Sequence, residues 1–381
     1  MDAASLAAVA ESFFRPAIAG IVPYEPGKPA EEVQRELGLD RVVKLASNEG
    51  PFPPFPAALE ALARGAPELN RYPDGGLYRL RRALAERHGV GPGNIVPAGG
   101  ADGVITYLSL VCLDPGDEAV CGWPSFPSYV LGALKLGATC HRVPLRDDRY
   151  DLDALLAAVT PRTKIVYLCN PNNPTGTMVT RAEIDAYFER VPEHVLTVLD
   201  EAYFEYVDDP DYPDGIEEYL KAGRRVLVLR TFSKIYGLAG LRVGYGAGPA
   251  EVVTAIRKVQ NAFDVTQPAQ DAALASLGDT EEIGRRRQAN EAGRELLERG
   301  LRELGLRVAT CPVANFVYAE TGGEARPLFE ALLRKGVIVR PLAGFGAPEA
   351  IRVSVGTMEE NAVFLDALQR ALEGSGAVRA S

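Results

Sequence analysis

Between residues 75 and 250, short runs rich in valine, isoleucine and leucine alternate with helical segments, and this alternation constrains the chain more than any other feature. The runs lie at 118–122, 140–145, 164–169, 195–199, 226–229 and 243–246, each bounded by glycine, proline, asparagine or aspartate. Apolar runs this short, separated by helices, predict strands buried on both faces in an α/β domain with a largely parallel sheet. Polar residues collect directly after them. Cys169 leads into Asn170-Pro-Asn-Asn-Pro-Thr-Gly176, Leu199 into Asp200-Glu-Ala-Tyr203, and Leu229 into Arg-Thr-Phe-Ser-Lys234. Open α/β sheets bind ligands beyond the carboxyl ends of their strands, so one site is expected there.

A chain of 381 residues exceeds one ordinary core and reads as two domains. Beyond Asn261 the texture changes: a charged helical stretch opens at Gln267-Pro268 and runs through Arg302. After it come a strand near 315–319, a helix near 326–335, strands near 337–340 and 351–355, and a closing helix from Glu359. The expected division is a large domain at 46–265 and a smaller α+β domain made of 1–45 and 266–381. Within the charged stretch, Arg285-Arg-Arg287 reads as a solvated helix face.

The formal charge of −10 argues against nucleic acid or an anionic membrane as partner. No apolar run approaches a membrane span, and the N-terminus lacks the basic region and cleavage site of a secretory leader. The five cysteines show no C-x-x-C spacing and read as reduced, buried thiols of a cytoplasmic protein. Three scattered histidines offer no metal site. No G-x-G-x-x-G follows an early strand, which disfavours a dinucleotide fold.

Lys234 is the candidate for covalent chemistry. A lysine forms an imine with an aldehyde only as a free amine, which calls for a desolvated position. Thr231, Ser233 and Arg242 beside it would suit a phosphate. Gly99-Gly100-Ala101-Asp102 precedes the apolar helical run 104–112, and backbone N–H groups at such a helix start are a second phosphate-binding device. Taken singly, each candidate also has an ordinary reading. Asp200 could be a hydrogen-bonded strand-end carboxylate, Asn173-Pro174 a turn, Tyr203 and Phe126 core aromatics, Tyr72 an exposed loop residue, and Arg340 half of a surface ion pair.

Together these segments resemble a known family. Ser233-Lys-Ile-Tyr-Gly-Leu-Ala-Gly-Leu-Arg242 is similar to the lysine motif of the pyridoxal 5′-phosphate (PLP) class I/II aminotransferases. Asn170–Gly176 resembles that family's Asn-Pro-Thr-Gly motif, and Asp200–Tyr203 its Asp-x-x-Tyr. Tyr24-Glu-Pro-Gly-Lys-Pro, Leu45-Ala-Ser-Asn-Glu49, Arg340 and Ile351-Arg-Val-Ser-Val-Gly-Thr357 are similar to the histidinol-phosphate aminotransferases. The resemblance implies PLP fold type I, the aspartate-aminotransferase-like α/β fold, with Lys234 as the Schiff-base lysine. Asp200 would hold the pyridine nitrogen protonated, and Asn173 and Tyr203 would bond the phenolic oxygen. Gly100, Ala101, Asp102, Thr231, Ser233 and Arg242 would take the phosphate, and Phe126 would stack on the ring. Tyr72 would reach the cofactor of the neighbouring subunit, which implies a homodimer. Tyr24, Asn48, Arg340 and Arg352 would bind substrate.

The activity implied is transamination with 2-oxoglutarate, the amino donor being L-histidinol phosphate. Aromatic amino-acid transamination and threonine-phosphate decarboxylation are the alternatives the cofactor residues also allow. Two positions depart from the family pattern: Gly50 where an amide side chain is common, and Gly103 where an acidic residue is common.

Overall fold

The computed structural model describes residues 13–21 and 28–375. Seven strands form the main sheet: β1 (Ile95–Ala98), β2 (Glu118–Trp123), β3 (Thr139–Pro144), β4 (Thr163–Cys169), β5 (Leu196–Asp200), β6 (Val226–Thr231) and β7 (Gly244–Ala247). Their order is β1-β7-β6-β5-β4-β2-β3. Strands β2 to β6 pair in parallel, whereas β7 runs antiparallel to both β1 and β6. The expected run at 243–246 is thus a strand, but the hydrophobic pattern carries no direction and could not mark it as the reversed one. Six of the strands are buried throughout or nearly so; β3, at the sheet edge, is largely exposed, so burial on both faces fails there.

Helices cover this sheet. Those that bear on the site are α1 (Pro56–Gly65), α2 (Ala101–Cys112), α3 (Pro127–Leu134), α4 (Gln267–Ser276), α5 (Thr280–Glu303) and α6 (Met358–Ser375). Helix α2 turns Val104, Ile105 and Leu108 into the main core. Glycine at 103 has a packing reason: a Cβ there would come within 3.2 Å of the Ala98 Cβ, so its absence lets α2 lie close on β1. The charged helical stretch expected from 267 to 302 is two helices. The break falls at Gly278-Asp279, where the Asp279 carboxylate accepts from the Glu282 N–H at 3.0 Å and caps α5.

A second, antiparallel sheet has the order β10-β11-β9-β8, made of β8 (Arg307–Val308), β9 (Phe316–Glu320), β10 (Arg340–Leu342) and β11 (Ala347–Ser354). It shares an apolar core with Leu297 and Leu301 of α5, Phe364 and Leu368 of α6, and Val43 and Leu45 from the early chain. A short strand, Val43–Lys44, pairs in parallel with Val337–Ile338. Strand β9 joins the two cores through the period-two alternation of a strand: Phe316 packs into the main core, while Val317 and Ala319 point into the second. Each buried phenylalanine of this kind stabilises the fold by about 2–3 kcal/mol.

The basic run of α5 is only partly a solvated face. Arg285 is exposed, but Arg286 is buried. Its guanidinium lies over the Phe55 ring, pairs with Glu282 at 2.7 Å, and donates to the Ile235 carbonyl at 3.0 Å and the Pro53 carbonyl at 2.7 Å. A buried cation needs such partners, and here they tie α5 to the residue after Lys234. The cysteines are all free; Cys121 and Cys169 are buried, Cys112 and Cys140 partly so, and Cys311 is exposed, against the expectation of burial. No described helix is long and apolar enough to cross a membrane.

Candidate active site

A cavity of about 370 Å³ opens beyond the carboxyl ends of β4, β5 and β6 and is bounded on its other side by Arg340, Phe345 and Arg352. Of the residues singled out in the sequence, Asn48, Gly100, Ala101, Asp102, Phe126, Asn173, Asp200, Tyr203, Thr231, Ser233, Lys234, Arg242, Arg340 and Arg352 all line it. Tyr24 lies outside the described residues. Tyr72 is 82% exposed, stacks on Phe263 at 4.5 Å between ring centroids, and is not part of the lining of this chain's own cavity.

Lys234 follows β6 by three residues, with its ammonium nitrogen 5.5 Å from the centre of the Tyr203 ring. Burial in the cavity floor, aided by the positive charges of Arg352 and Arg242, lowers its pKa to about 8; Glu49 and Asp200 pull the other way. Asp200, the last residue of β5, is 4% exposed. Burial raises the pKa of its carboxyl. Two hydrogen bonds work against that rise, from the Tyr129 hydroxyl at 2.6 Å and the Ala202 N–H at 3.1 Å. A buried carboxylate held in this way is stabilised further by a cation placed in the cavity.

One wall is built for an anion. Gly100 is the N-cap of α2 with φ 81°, so the first N–H groups of a twelve-residue helix face the cavity beside Asp102. A Cβ at Gly100 would lie 2.8 Å from Arg242 Nη2, and one at Gly244 would lie 2.5 Å from the Ala101 nitrogen. Only glycine lets helix start and arginine approach so closely. Thr231 Oγ1 donates to Ser233 Oγ at 3.0 Å, and Arg242 Nη1 reaches the same Ser233 oxygen at 3.4 Å. Helix N–H groups, two hydroxyls and a guanidinium form a cradle that fits a phosphate.

On the opposite wall, Arg352 is 4% exposed within β11 and donates to the Asn173 side-chain oxygen and, at 2.9 Å, to the Ala46 carbonyl. Its guanidinium lies 5.2 Å from the Phe345 ring centre, and that of Arg340 lies 5.6 Å from the same ring. Asn48 spends its side chain on Tyr203 and Ser354. Phe126 caps α3 and meets Tyr129 edge to face at 5.7 Å.

Tyr129 and Phe345 escaped the sequence reading, and Glu49 entered it only as the end of a motif, with no role. For Tyr129 a signal existed, since it stands one helical turn after Phe126 on the same face. Gly50 is absent from the lining, and a Cβ there would make only ordinary contacts, 3.5 Å from the Tyr206 hydroxyl and 3.6 Å from the Lys234 carbonyl.

A lysine of lowered pKa, a buried carboxylate and a phosphate cradle line one α/β cleft, an arrangement suited to an enzyme that joins an amine to a phosphate-bearing aldehyde. Residues 40–368 match the family model described as aminotransferase class I and II. The chain is 45% identical over 359 residues to the histidinol-phosphate aminotransferase of Moorella thermoacetica, covering 94% of this chain and 92% of that one. It is 43% identical over 360 residues to histidinol-phosphate aminotransferase 2 of Carboxydothermus hydrogenoformans, covering 94% and 99%. Among solved structures it resembles the histidinol-phosphate aminotransferase of Sinorhizobium meliloti in complex with pyridoxal-5′-phosphate, with TM-score 0.85, 29% identity and coverage of 96% and 98%. It also resembles a Thermus thermophilus aspartate aminotransferase, with TM-score 0.82, 26% identity and coverage of 94% and 99%. The chain belongs to the class I and II aminotransferases, and its fold is the aspartate-aminotransferase-like fold type I.

Proposed function

We propose that this protein is a PLP-dependent histidinol-phosphate aminotransferase of histidine biosynthesis, transferring the amino group of L-histidinol phosphate to 2-oxoglutarate. The observation that carries the proposal is the placement of Arg340 and Arg352 in the same cavity as Lys234, Asp200 and the phosphate cradle. The names borne by relatives 43–45% identical over most of the chain support the choice of donor. Guanidinium groups grip phosphate and carboxylate alike, so one pair of arginines can serve both amino donor and keto-acid acceptor.

The residues present fit PLP. The cradle of Gly100, Ala101, Asp102, Thr231, Ser233 and Arg242 would hold its phosphate, Asp200 its ring nitrogen, Asn173 and Tyr203 its phenolic oxygen, and Phe126 its ring face. Bound there, PLP supplies an aldehyde for an amine to join and an electron-withdrawing ring that accepts the negative charge developing at the substrate's Cα. Lys234 Nζ acts as the base that takes the proton from that Cα. Asp200 holds a proton on the ring nitrogen by its charge. Arg340 and Arg352 orient the substrate's anionic end.

We read the active form as a cytoplasmic homodimer. The exposed Tyr72, stacked on Phe263 and away from its own chain's cavity, supports a role in a neighbouring site. Free thiols and acidic charge support the compartment. The two larger of the four apolar clusters among the described residues support the division into domains at 46–265 and at 1–45 with 266–381, although α4 buries Ala269, Ala272 and Ala273, and β9 buries Phe316, in the core of the main sheet.

The direct test is a half-reaction. PLP-loaded protein is mixed with L-histidinol phosphate, L-phenylalanine or L-threonine phosphate in the absence of any keto acid. Rapid change of the cofactor's absorption with histidinol phosphate alone is the expected result. Conversion only with phenylalanine would move the enzyme to aromatic metabolism, and carbon dioxide released from threonine phosphate would make it a decarboxylase. The cradle gives a further expectation. Gly100→Ala forces a side chain against Arg242 at a positive φ, and PLP affinity measured by equilibrium dialysis should fall by about tenfold or more.

A further inference from the structure

Asn48 carries a heavier set of constraints than a substrate ligand needs. It is 1% exposed and adopts φ 55°, a left-handed conformation that asparagine tolerates better than most residues. Its backbone N–H donates to Ser354 Oγ at 2.8 Å, and its carbonyl accepts from Asn315 Nδ2 at 3.0 Å. Ser354 Oγ donates back to Asn48 Oδ1 at 3.1 Å, and Asn48 Nδ2 donates to the Tyr203 hydroxyl at 2.9 Å.

These bonds set the direction of every proton in the group. Ser354, 3% exposed on β11, already accepts the Asn48 backbone N–H, so its single hydroxyl proton needs an acceptor. Asn48 Oδ1 supplies it. Turning the amide over would leave that buried hydroxyl proton without an acceptor, which costs more than a net hydrogen bond contributes. The NH₂ end of Asn48 therefore faces Tyr203, and the Tyr203 oxygen must accept. A phenol that accepts from one side has its own proton left to give. Among the described residues that proton has no protein acceptor, and Tyr203 lines the cavity. Burial also raises the Tyr203 pKa, so the hydroxyl stays protonated.

We infer that Asn48 is a positioning residue rather than a substrate ligand: with Ser354 it fixes the Tyr203 hydroxyl as a donor aimed at the phenolic oxygen of the cofactor. The inference rests on the PLP reading of the site. It also links the two walls. Ser354 and Arg352 lie two residues apart on β11, and both are bonded to the segment 46–48, Arg352 through the Ala46 carbonyl. The strand that carries a substrate arginine is thus joined by hydrogen bonds to the tyrosine that tunes the cofactor.

The test reads the absorbance of the holoenzyme against pH and locates the pH at which the lysine-bound cofactor titrates. Losing a donor to an anionic oxygen makes the linkage more basic, so Tyr203→Phe should move this titration upward by about one pH unit. Asn48→Asp is nearly isosteric, but both its oxygens accept. Ser354 keeps its partner while Tyr203 turns its proton toward the new carboxylate. An upward shift is expected, and it should be much smaller in the Tyr203→Phe background, where only the added charge still acts. Ser354→Ala, which alters no charge and frees the amide to turn, should shift the titration in the same direction and do nothing beside Tyr203→Phe. If Tyr203→Phe shifts the titration while both other variants leave it in place, or if their shifts add in full to that of Tyr203→Phe, the inference is overturned. If Tyr203→Phe itself shifts nothing, the cofactor role of Tyr203 beneath the inference fails, and the inference with it.

Discussion

The Lys234→Ala protein is expected to lose multiple-turnover transamination by more than about ten-thousand-fold, because in the proposed mechanism one side chain supplies both the covalent tether and the base. The cavity makes that lysine reactive. With a pKa of about 8 rather than the ordinary 10.5, about 10% of molecules carry the free amine at pH 7, against about 0.03% for an unperturbed lysine. Burial contributes most to this and the charges of Arg352 and Arg242 the rest, so the arginines we assign to substrate and to phosphate both bear on the nucleophile. Two measurements separate the tether from the base. Borohydride reduction followed by mass spectrometry should attach the cofactor to native protein and leave Lys234→Ala unmodified. Capture of PLP by native apo-protein should quicken as pH rises, with its midpoint near the pKa of about 8, since only the neutral amine attacks an aldehyde. Substantial steady-state turnover in Lys234→Ala would remove the lysine from the mechanism.

How much of this was legible beforehand depends on the range over which each residue's role is decided. Lys234, Asp200 and Asn173 stand directly after apolar runs, and the rule that ligands meet strand ends places them together without knowledge of the strand order. The fold class follows from the same runs. The reversal of β7 does not, because alternation and apolarity are the same in either direction. Arg286 reads as solvated in a run of three arginines, and only tertiary contact reveals the two backbone carbonyls it clamps. Tyr129 sits in an apolar helix where an aromatic is ordinary core, and its partner Asp200 is 71 residues away. Asn48 was legible as part of a motif, but its hydrogen-bond partners Ser354 and Asn315 lie about 300 residues further on. Local chemistry is readable from the chain; the partners that orient it come from the fold.

Asp200 is the most telling of these cases, because the same residue that the run pattern exposes depends on a partner the pattern hides. Asp200→Asn keeps the shape of the side chain and removes its charge, so in the proposed arrangement the ring nitrogen of PLP would lose the anion that keeps it protonated. A fall in kcat/KM of about a thousandfold is expected, with PLP still bound through the separate phosphate cradle. Tyr129→Phe tests the orienting contact and should cost far less, about tenfold near neutral pH, because the Ala202 N–H still holds the carboxylate. Its effect should depend on pH with a definite sign. The Tyr129 hydroxyl bonds the ionised form and so lowers a pKa that burial raises; without it the carboxyl pKa climbs further. As pH falls, the charged form is then lost sooner, so the acid limb of the kcat profile should move to higher pH in Tyr129→Phe while the alkaline limb stays. If Tyr129→Phe left the rate and both limbs in place, Asp200 would keep its charge without the hydroxyl, and Tyr129 would serve only through the ring stacking on Tyr167 at 4.4 Å that phenylalanine retains.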